Sequence, residues 1–428
     1  MGFKKRKSAR AARAEEPTSE NIAFLDEDRD NVFADSIDAG HRIDPRAQKV
    51  FVLGVVLIAV YVLALVIPKD MLNQGLHLLS SAGYTFSWFV DDLQENVSGL
   101  VAVLSGNEAE GSLYSTMMIR YIVVALAGSG LALSGAVYQG AFRNALVSPS
   151  TLGVMTGASF GLMVWVVLFS GDGEALSFMT EGSAASGGGT WEYLVSSYGL
   201  ALTSFVGCFA VVGLVLLVIR LAGTARMSGI MIIIAGQVIG GVIGAIGNTV
   251  RYYYVTTDPF GPIADALTYL QVASFYRVFS WIDVVAVAVP LGLTLFVVMR
   301  LRQKMLLLSF DEGERRSMGV DTRRMQFGVV ALCTLLTAIV VSFCGSVGFV
   351  GFLVPHLARR LVGPNFKYLL PASTVLGAVF VLGAYVLVEA TFGGSASTMV
   401  GMYVSIGGAI VFLATALRGK GAMLGGFR

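Results

Sequence analysis

The sequence predicts an all-α polytopic membrane protein of about ten transmembrane helices, on three observations. Hydrophobic residues make up 55% of the 428-residue chain and charged residues only 14%, and the mean hydropathy is +0.73, far from the balance of a soluble domain. Apolar stretches of the length that crosses a hydrocarbon core, roughly 20 residues, recur along the chain. The basic residues gather in alternate connecting segments, as cytoplasmic loops retain Lys and Arg.

The ten stretches are 49–68, 117–138, 151–169, 194–220, 227–250, 282–301, 327–343, 349–362, 369–388 and 402–417. An even number returns both termini to one side. With that side cytosolic, only Lys69, Arg120, Arg251 and Arg277 of the 30 Lys and Arg fall outside. Segment 76–104 is apolar in parts but broken by Asp91, Asp92 and Glu95, which suits an interfacial segment better than a span. Residues 1–48 carry a basic cluster (Lys4 to Arg13) and then an acidic stretch, without the apolar core of a signal peptide. They read as a disordered cytosolic tail or as a basic patch on anionic membrane lipid. The transmembrane domain is expected over 49–418, with a flexible external connector at 170–192 and a second short cytosolic tail at 419–428.

Several chemistries have no residues to run on. Cys208, Cys333 and Cys344 fall within or at the ends of spans, where free Cys packs as a small hydrophobe, so no disulfide framework is expected. His41, His77 and His356 are the only histidines, and no metal site follows from them. No G-x-x-x-x-G-K-[ST] loop occurs, so nucleotide hydrolysis must come from a partner. Asp283 and Glu389 sit near span ends rather than at mid-membrane depth. That leaves an ion-coupled secondary transporter without an ionisable relay. A non-transport membrane assembly protein is the other alternative, and nothing points to nucleic acid.

Three segments stand out. Gly348 to Gly363 (GFVGFLVPHLARRLVG) is apolar, holds Pro355 and His356, and ends in Arg359 and Arg360, which mark a cytoplasmic exit. Pro and Gly at membrane depth require shielding by neighbouring helices, so this stretch belongs inside a bundle. Ser309 to Arg324 (SFDEGERRSMGVDTRR) is the most charged segment among the spans, and it reads either as a docking surface or as an ordinary positive-inside loop. In the fifth span, Gly236, Gln237, Gly240, Gly244 and Asn248 share helical spacing. They suit the lining of a wide path or close helix packing through small residues.

Together these stretches resemble the FecCD-type permeases, subunits of ABC importers for ferric siderophores, haem and cobalamin. Residues 128–157 (GSGLALSGAVYQGAFRNALVSPSTLGVMTG) are similar to that family's G-x-x-L-A-x-S-G-x-x-x-Q-x-x-x-x-N-P-L-A-x-P-x-x-L-G-x-x-x-G, including Gln139, Asn144, Pro149 and Gly153. Ala145 and Val147 stand where the family has Pro and Ala. Ile234-Ala235-Gly236 resembles its L-A-G, and residues 348–359 resemble its G-F-x-G-L-x-x-P-H-x-x-R through Pro355, His356 and Arg359.

The resemblance implies a type II ABC importer permease architecture in a bacterial cytoplasmic membrane. It also implies a coupling loop at 302–324 that docks on the ATPase through Glu312, Arg316, Ser317, Gly319 and Val320. Asp311 and Arg315 replace the family's Gly and Ala, and Arg315 is a candidate for selecting a particular ATPase. Arg120 matches the second arginine of the family's R-x-P-R, which implies docking of a lipid-anchored or periplasmic substrate-binding protein; a snorkelling interfacial arginine is the plainer reading. Implied partners are a second permease copy or paralogue and two ATPase subunits that bind ATP and Mg. The chain itself would need no cofactor, and the substrate would pass unchanged, with the path lined by Gly236, Gln237, Gly240 and Asn248.

Overall fold

The computed structural model describes residues 44–66, 87–105, 108–169, 190–221, 229–259, 279–307, 322–392 and 400–418, with isolated positions between 261 and 275. Residues 49–428 form one compact unit, and of residues 1–48 only the start of the first helix is described. The described residues form eleven long helices: α1 (Pro45–Val66), α2 (Ser87–Ser105), α3 (Glu108–Ala141), α4 (Val154–Phe169), α5 (Thr190–Leu221), α6 (Gly229–Thr257), α7 (Trp281–Leu307), α8 (Thr322–Cys344), α9 (Val350–Val362), α10 (Phe366–Phe392) and α11 (Val400–Arg418).

Each of the ten expected stretches falls on one helix, and α2 lies in the segment read as interfacial. Seven helices (α1, α3, α5, α6, α7, α8 and α10) are long and apolar enough to cross a membrane, and α4 and α11 are apolar but shorter. The eighth stretch, 349–362, forms α9. With 13 residues, α9 rises about 20 Å, short of a hydrocarbon core of about 30 Å. It is sheltered as its Pro355 demands, with Val350, Leu353, Val354, Pro355 and Ala358 buried.

The helix ends follow local chemistry. Asp44 caps α1, its Oδ1 accepting from the Arg46 N–H at 2.8 Å, with Pro45 at the first helical position. Asn365 does the same for α10 through the Lys367 N–H at 2.9 Å. At the start of α7, Asp283 Oδ2 accepts from the Ser280 N–H at 2.8 Å and its hydroxyl at 3.0 Å, the carboxylate half of a capping box. That explains a carboxylate only 1% exposed at a helix start. Gly363 closes α9 at φ 82°, its N–H donating to the Arg359 carbonyl.

Helix α3 is the hub, packed against α2, α7, α8, α9 and α10, while α4, α5 and α6 form a second group joined to it through α8. In lipid, helices associate by close packing and interhelical hydrogen bonds rather than by a hydrophobic drive, and both devices are present. Gly128 of α3 meets Gly377 of α10 backbone to backbone, and Gly135 of α3 meets Gly351 of α9; a Cβ on either α3 glycine would land on a carbonyl oxygen. Gly157 and Gly207 bring α4 and α5 together in the same manner. Across the interfaces Tyr138 and Thr334 share a hydroxyl contact of 2.6 Å, the Ser134 hydroxyl donates to the Cys333 carbonyl, and the Ser204 hydroxyl to the Ala338 carbonyl. Glu389, 5% exposed near the end of α10, accepts from the Tyr121 hydroxyl at 2.8 Å.

Candidate functional site

The residues of the two motif stretches converge where α3, the 142–153 connection and α9 meet. Gln139 is fully buried and uses both ends of its amide: Nε2 donates to the Phe352 carbonyl at 3.1 Å, and Oε1 accepts from Arg359 Nη2 at 3.0 Å. One side chain thus fixes α9 to α3 and holds the head of a cationic residue. Just beyond it the chain turns sharply. Asn144 accepts from the Leu146 N–H through Oδ1 at 2.9 Å, an Asx turn, and Ser148 and Thr151 cap each other's backbone N–H groups. Pro149 then lies against Gly351 of α9.

Gly153 ends the turn at φ 73°, a conformation that costs glycine nothing. Its lack of a side chain also admits the Gly236 carbonyl of α6. Gln326, at the start of α8, donates to the Ala141 carbonyl at 2.8 Å. The start of the helix that follows the charged 309–324 segment is therefore bonded to the same knot.

From that knot α4 and α6 diverge. At their N-terminal ends they touch: a Cβ on Gly236 would lie 2.5 Å from the Thr151 carbonyl oxygen. Further along they part, and a cleft of about 390 Å³ opens between them. Met155, Thr156, Ser159, Phe160 and Met163 form one wall; Ile243, Gly244, Gly247, Asn248 and Arg251 form the other. Both sets have the spacing i, i+1, i+4, i+5, i+8, one helix face each. Ser150, Leu267, the α8–α9 connection with Ser346 and Gly348, and Ser405 of α11 complete the lining. That connection is under backbone strain at its end, since Phe349 precedes α9 at φ 63°.

The residues expected to line a path therefore divide. Asn248 lines the cleft. Gly236 and Gly240 are buried at the α4–α6 approach, where Gly240 faces Gly153 and Thr156, and Gln237 is exposed. Arg120 is half-buried on α3 beside Tyr121, its Nε enclosed without a hydrogen-bond partner among the described residues. His356 is half-buried on α9, and its enclosed Nε2 likewise finds no partner there. Glu312, Arg315, Arg316, Ser317, Gly319 and Val320 lie outside the described residues. Among the described residues no group of three or more His, Cys, Asp or Glu side chains gathers as a metal site. Sequence reasoning did not assign Arg251, Ser159, Ser346 or Ser405 to a path. Arg251 had a signal, lying three residues after Asn248 and seven after Gly244 on the same helix face. The serines come from three separate segments that only the fold brings together.

A bundle of apolar helices locked at one knot and opening into a hydroxyl-lined cleft suits a membrane permease. The chain belongs to the FecCD transport family, whose profile matches residues 78–418, and is thus a multi-pass plasma-membrane protein. It is 30% identical to the molybdate import system permease of Haemophilus influenzae over 63% of this chain and 71% of the relative. It is also 30% identical to the Fe(3+)-citrate import system permease of Bacillus subtilis, over 61% of this chain and 69% of the relative. A solved structure of a metal-chelate type ABC transporter in an inward-facing conformation shares the fold, with a TM-score of 0.63 at 24% identity, covering 87% of this chain and 99% of that one.

Proposed function

We propose that the chain is the membrane-spanning subunit of an ATP-driven importer that carries an iron chelate of the siderophore type, or a related haem or cobalamin ligand, across the bacterial cytoplasmic membrane. The observation that carries this reading is the knot at Gln139 and Arg359. It joins both family motif stretches to the first turns of α8, the helix that follows the charged 309–324 segment, and to the base of the cleft. Movement delivered at that segment has a bonded route to the helices that wall the cleft, as a bistable bundle requires.

In this reading two copies of the chain, or one copy and a paralogue, sit on two ATPase subunits that bind ATP and Mg. The chain itself hydrolyses nothing. Glu312, Arg315, Arg316, Ser317, Gly319 and Val320 form the ATPase contact, where shape and charge complementarity matter rather than catalysis. Arg120 meets an acidic side chain of the extracytoplasmic binding protein, and both termini are cytosolic.

The test is uptake of labelled ferric citrate, a ferric hydroxamate, haem and cobalamin by cells with and without the gene, followed by Gly319→Arg. Loss of uptake of one ligand without the gene, and loss with retained ATP hydrolysis in Gly319→Arg, is the expected result. Normal uptake in Gly319→Arg removes the coupling assignment. Uptake that survives loss of the ATPase but follows an ion gradient replaces the importer by a secondary transporter.

A further inference from the structure

The cleft between α4 and α6 has an uneven chemistry that points to its occupant. Among the described residues that line it, Arg251 alone is ionisable and none is a carboxylate. The other polar groups are hydroxyls (Ser150, Thr156, Ser159, Ser346, Ser405) and the Asn248 amide. Arg251 Nε is enclosed and has no hydrogen-bond partner among the described residues. The guanidinium is half-buried, and an enclosed N–H left without an acceptor is costly. Arg251 lies two helical turns from Ile243, so its charge stands about 12 Å along the cleft from the narrow end. Between them, Met155, Phe160 and Met163 supply an apolar wall.

We propose that this cleft takes the anionic, oxygen-bearing part of the cargo, with Arg251 as its anchor and the hydroxyls and Asn248 completing the contact. The planar fork of a guanidinium matches a carboxylate or another oxyanion, and hydroxyls and an amide serve either as donors to its remaining oxygens or as acceptors from neutral groups. Met155, Phe160 and Met163 face the organic body of a chelate. The assignment rests on the permease reading and narrows it. Carboxylate-bearing ligands such as ferric citrate or haem fit this lining; a complex that presents only cationic groups does not.

The charge of the cleft is measurable without knowing the cargo. In the full-length chain in lipid nanodiscs, Ser159→Cys places a thiol on the α4 wall, with Ser346→Cys as a second position should the first fail to fold. The rate of its modification is compared for an anionic and a cationic methanethiosulfonate reagent, sulfonatoethyl and trimethylammonioethyl, with the exposed Ser98→Cys on α2 as reference. An anionic-to-cationic rate ratio about tenfold above that reference is expected, falling to the reference in Arg251→Gln and preserved in Arg251→Lys. Lys367→Gln, away from the cleft, leaves the ratio unchanged.

A ratio at or below the reference, or one indifferent to Arg251→Gln, overturns the proposal. So does the absence of reaction with both reagents at both positions, since the cleft would then not be accessible. In the uptake assay, a cargo without an anionic group, or uptake unaffected by Arg251→Gln, also overturns it while leaving the permease reading standing. Failure of the permease reading appears instead as uptake that does not depend on the ATPase.

Discussion

Helices α3 and α6 have nearly the same hydropathy, 1.7 and 1.6 over their apolar stretches, yet 83% of that stretch is buried in α3 and 17% in α6. In water such a difference would be written in the hydrophobic pattern. In lipid the surroundings are as apolar as the core, so hydropathy does not separate an inside helix from an outside one. What separates them is polarity and size. Helix α3 carries Ser134, Tyr138 and Gln139, all buried and each hydrogen-bonded to another helix. Helix α6 shows Ile234, Val238, Val242 and Ile246 on an exposed face. Both helices bear glycines, used differently beyond the α4–α6 contact at Gly236 and Gly240. On α3, Gly128 and Gly135 are where another backbone arrives; on α6 Gly241 has nothing within 4 Å, and Gly244 and Gly247 border open space.

The sharpest way to break this comparison is Gly135→Ala. The new methyl would meet the Gly351 carbonyl of α9, a backbone atom that cannot turn aside. Overpacking of this kind costs about 3 kcal/mol, and thermal unfolding of the purified chain in detergent should show a large drop and a poor yield. Gly241→Ala, one residue changed in the same way on α6, should unfold like the parent. Equal stabilities for the two would mean that burial does not distinguish the helices.

Next in size is the knot. Gln139→Ala removes an acceptor from Arg359 and a donor from the Phe352 carbonyl, two interhelical hydrogen bonds worth together about 2 kcal/mol. Because α9 then loses its tie to α3, uptake should fall further than stability alone explains. A double-mutant cycle with Arg359→Ala checks this, since coupled residues give a combined loss well short of the sum. Additive losses would show that the two side chains act separately.

The helical elements were legible in the sequence as elements, because roughly 20 apolar residues between polar or glycine-rich breaks leave few alternatives. Their ends were less so: α3 starts at Glu108, nine residues before the apolar stretch, and α6 runs on to Thr257, past Arg251. Helix α9 keeps its expected short length, beginning at Val350 after the left-handed Gly345 and Phe349. The candidate site was legible only in halves. Gln139 and Arg359 each stand in a recognisable run, but 220 residues separate them, and no local spacing reveals that they bond. Gly236 and Gly240 show the helical spacing of a lining, and the structure places them at the α4–α6 contact instead; periodicity identifies a face, not what the face meets. Arg251 was read only as an external charge, because the sites opposite it come from α4, α11 and the α8–α9 connection.

A smaller effect is expected at the start of α7. Ser280→Ala deletes the hydroxyl that donates to Asp283 while keeping the backbone N–H that also does so. Loss of one hydrogen bond of this kind costs about 1 kcal/mol, visible as a modest fall in unfolding temperature with uptake retained. A fall as large as that of Gln139→Ala would mean that Asp283 depends on the hydroxyl rather than on the backbone.

The smallest change in stability, with the clearest functional consequence, belongs to Gly244→Leu. A Cβ at this position finds only Thr156 Cγ2 at 3.6 Å, an ordinary contact. The remainder of the side chain projects into the cleft of about 390 Å³ rather than into a neighbouring helix. Stability should therefore stay within about 0.5 kcal/mol of the parent, while uptake falls because the passage is narrower. Gly135→Ala, a smaller addition at a packed glycine, is expected to do the reverse and unfold the chain. If Gly244→Leu folds and transports like the parent, the cleft is not on the route of the cargo. If it unfolds, α6 meets more protein on that face than the open cleft allows.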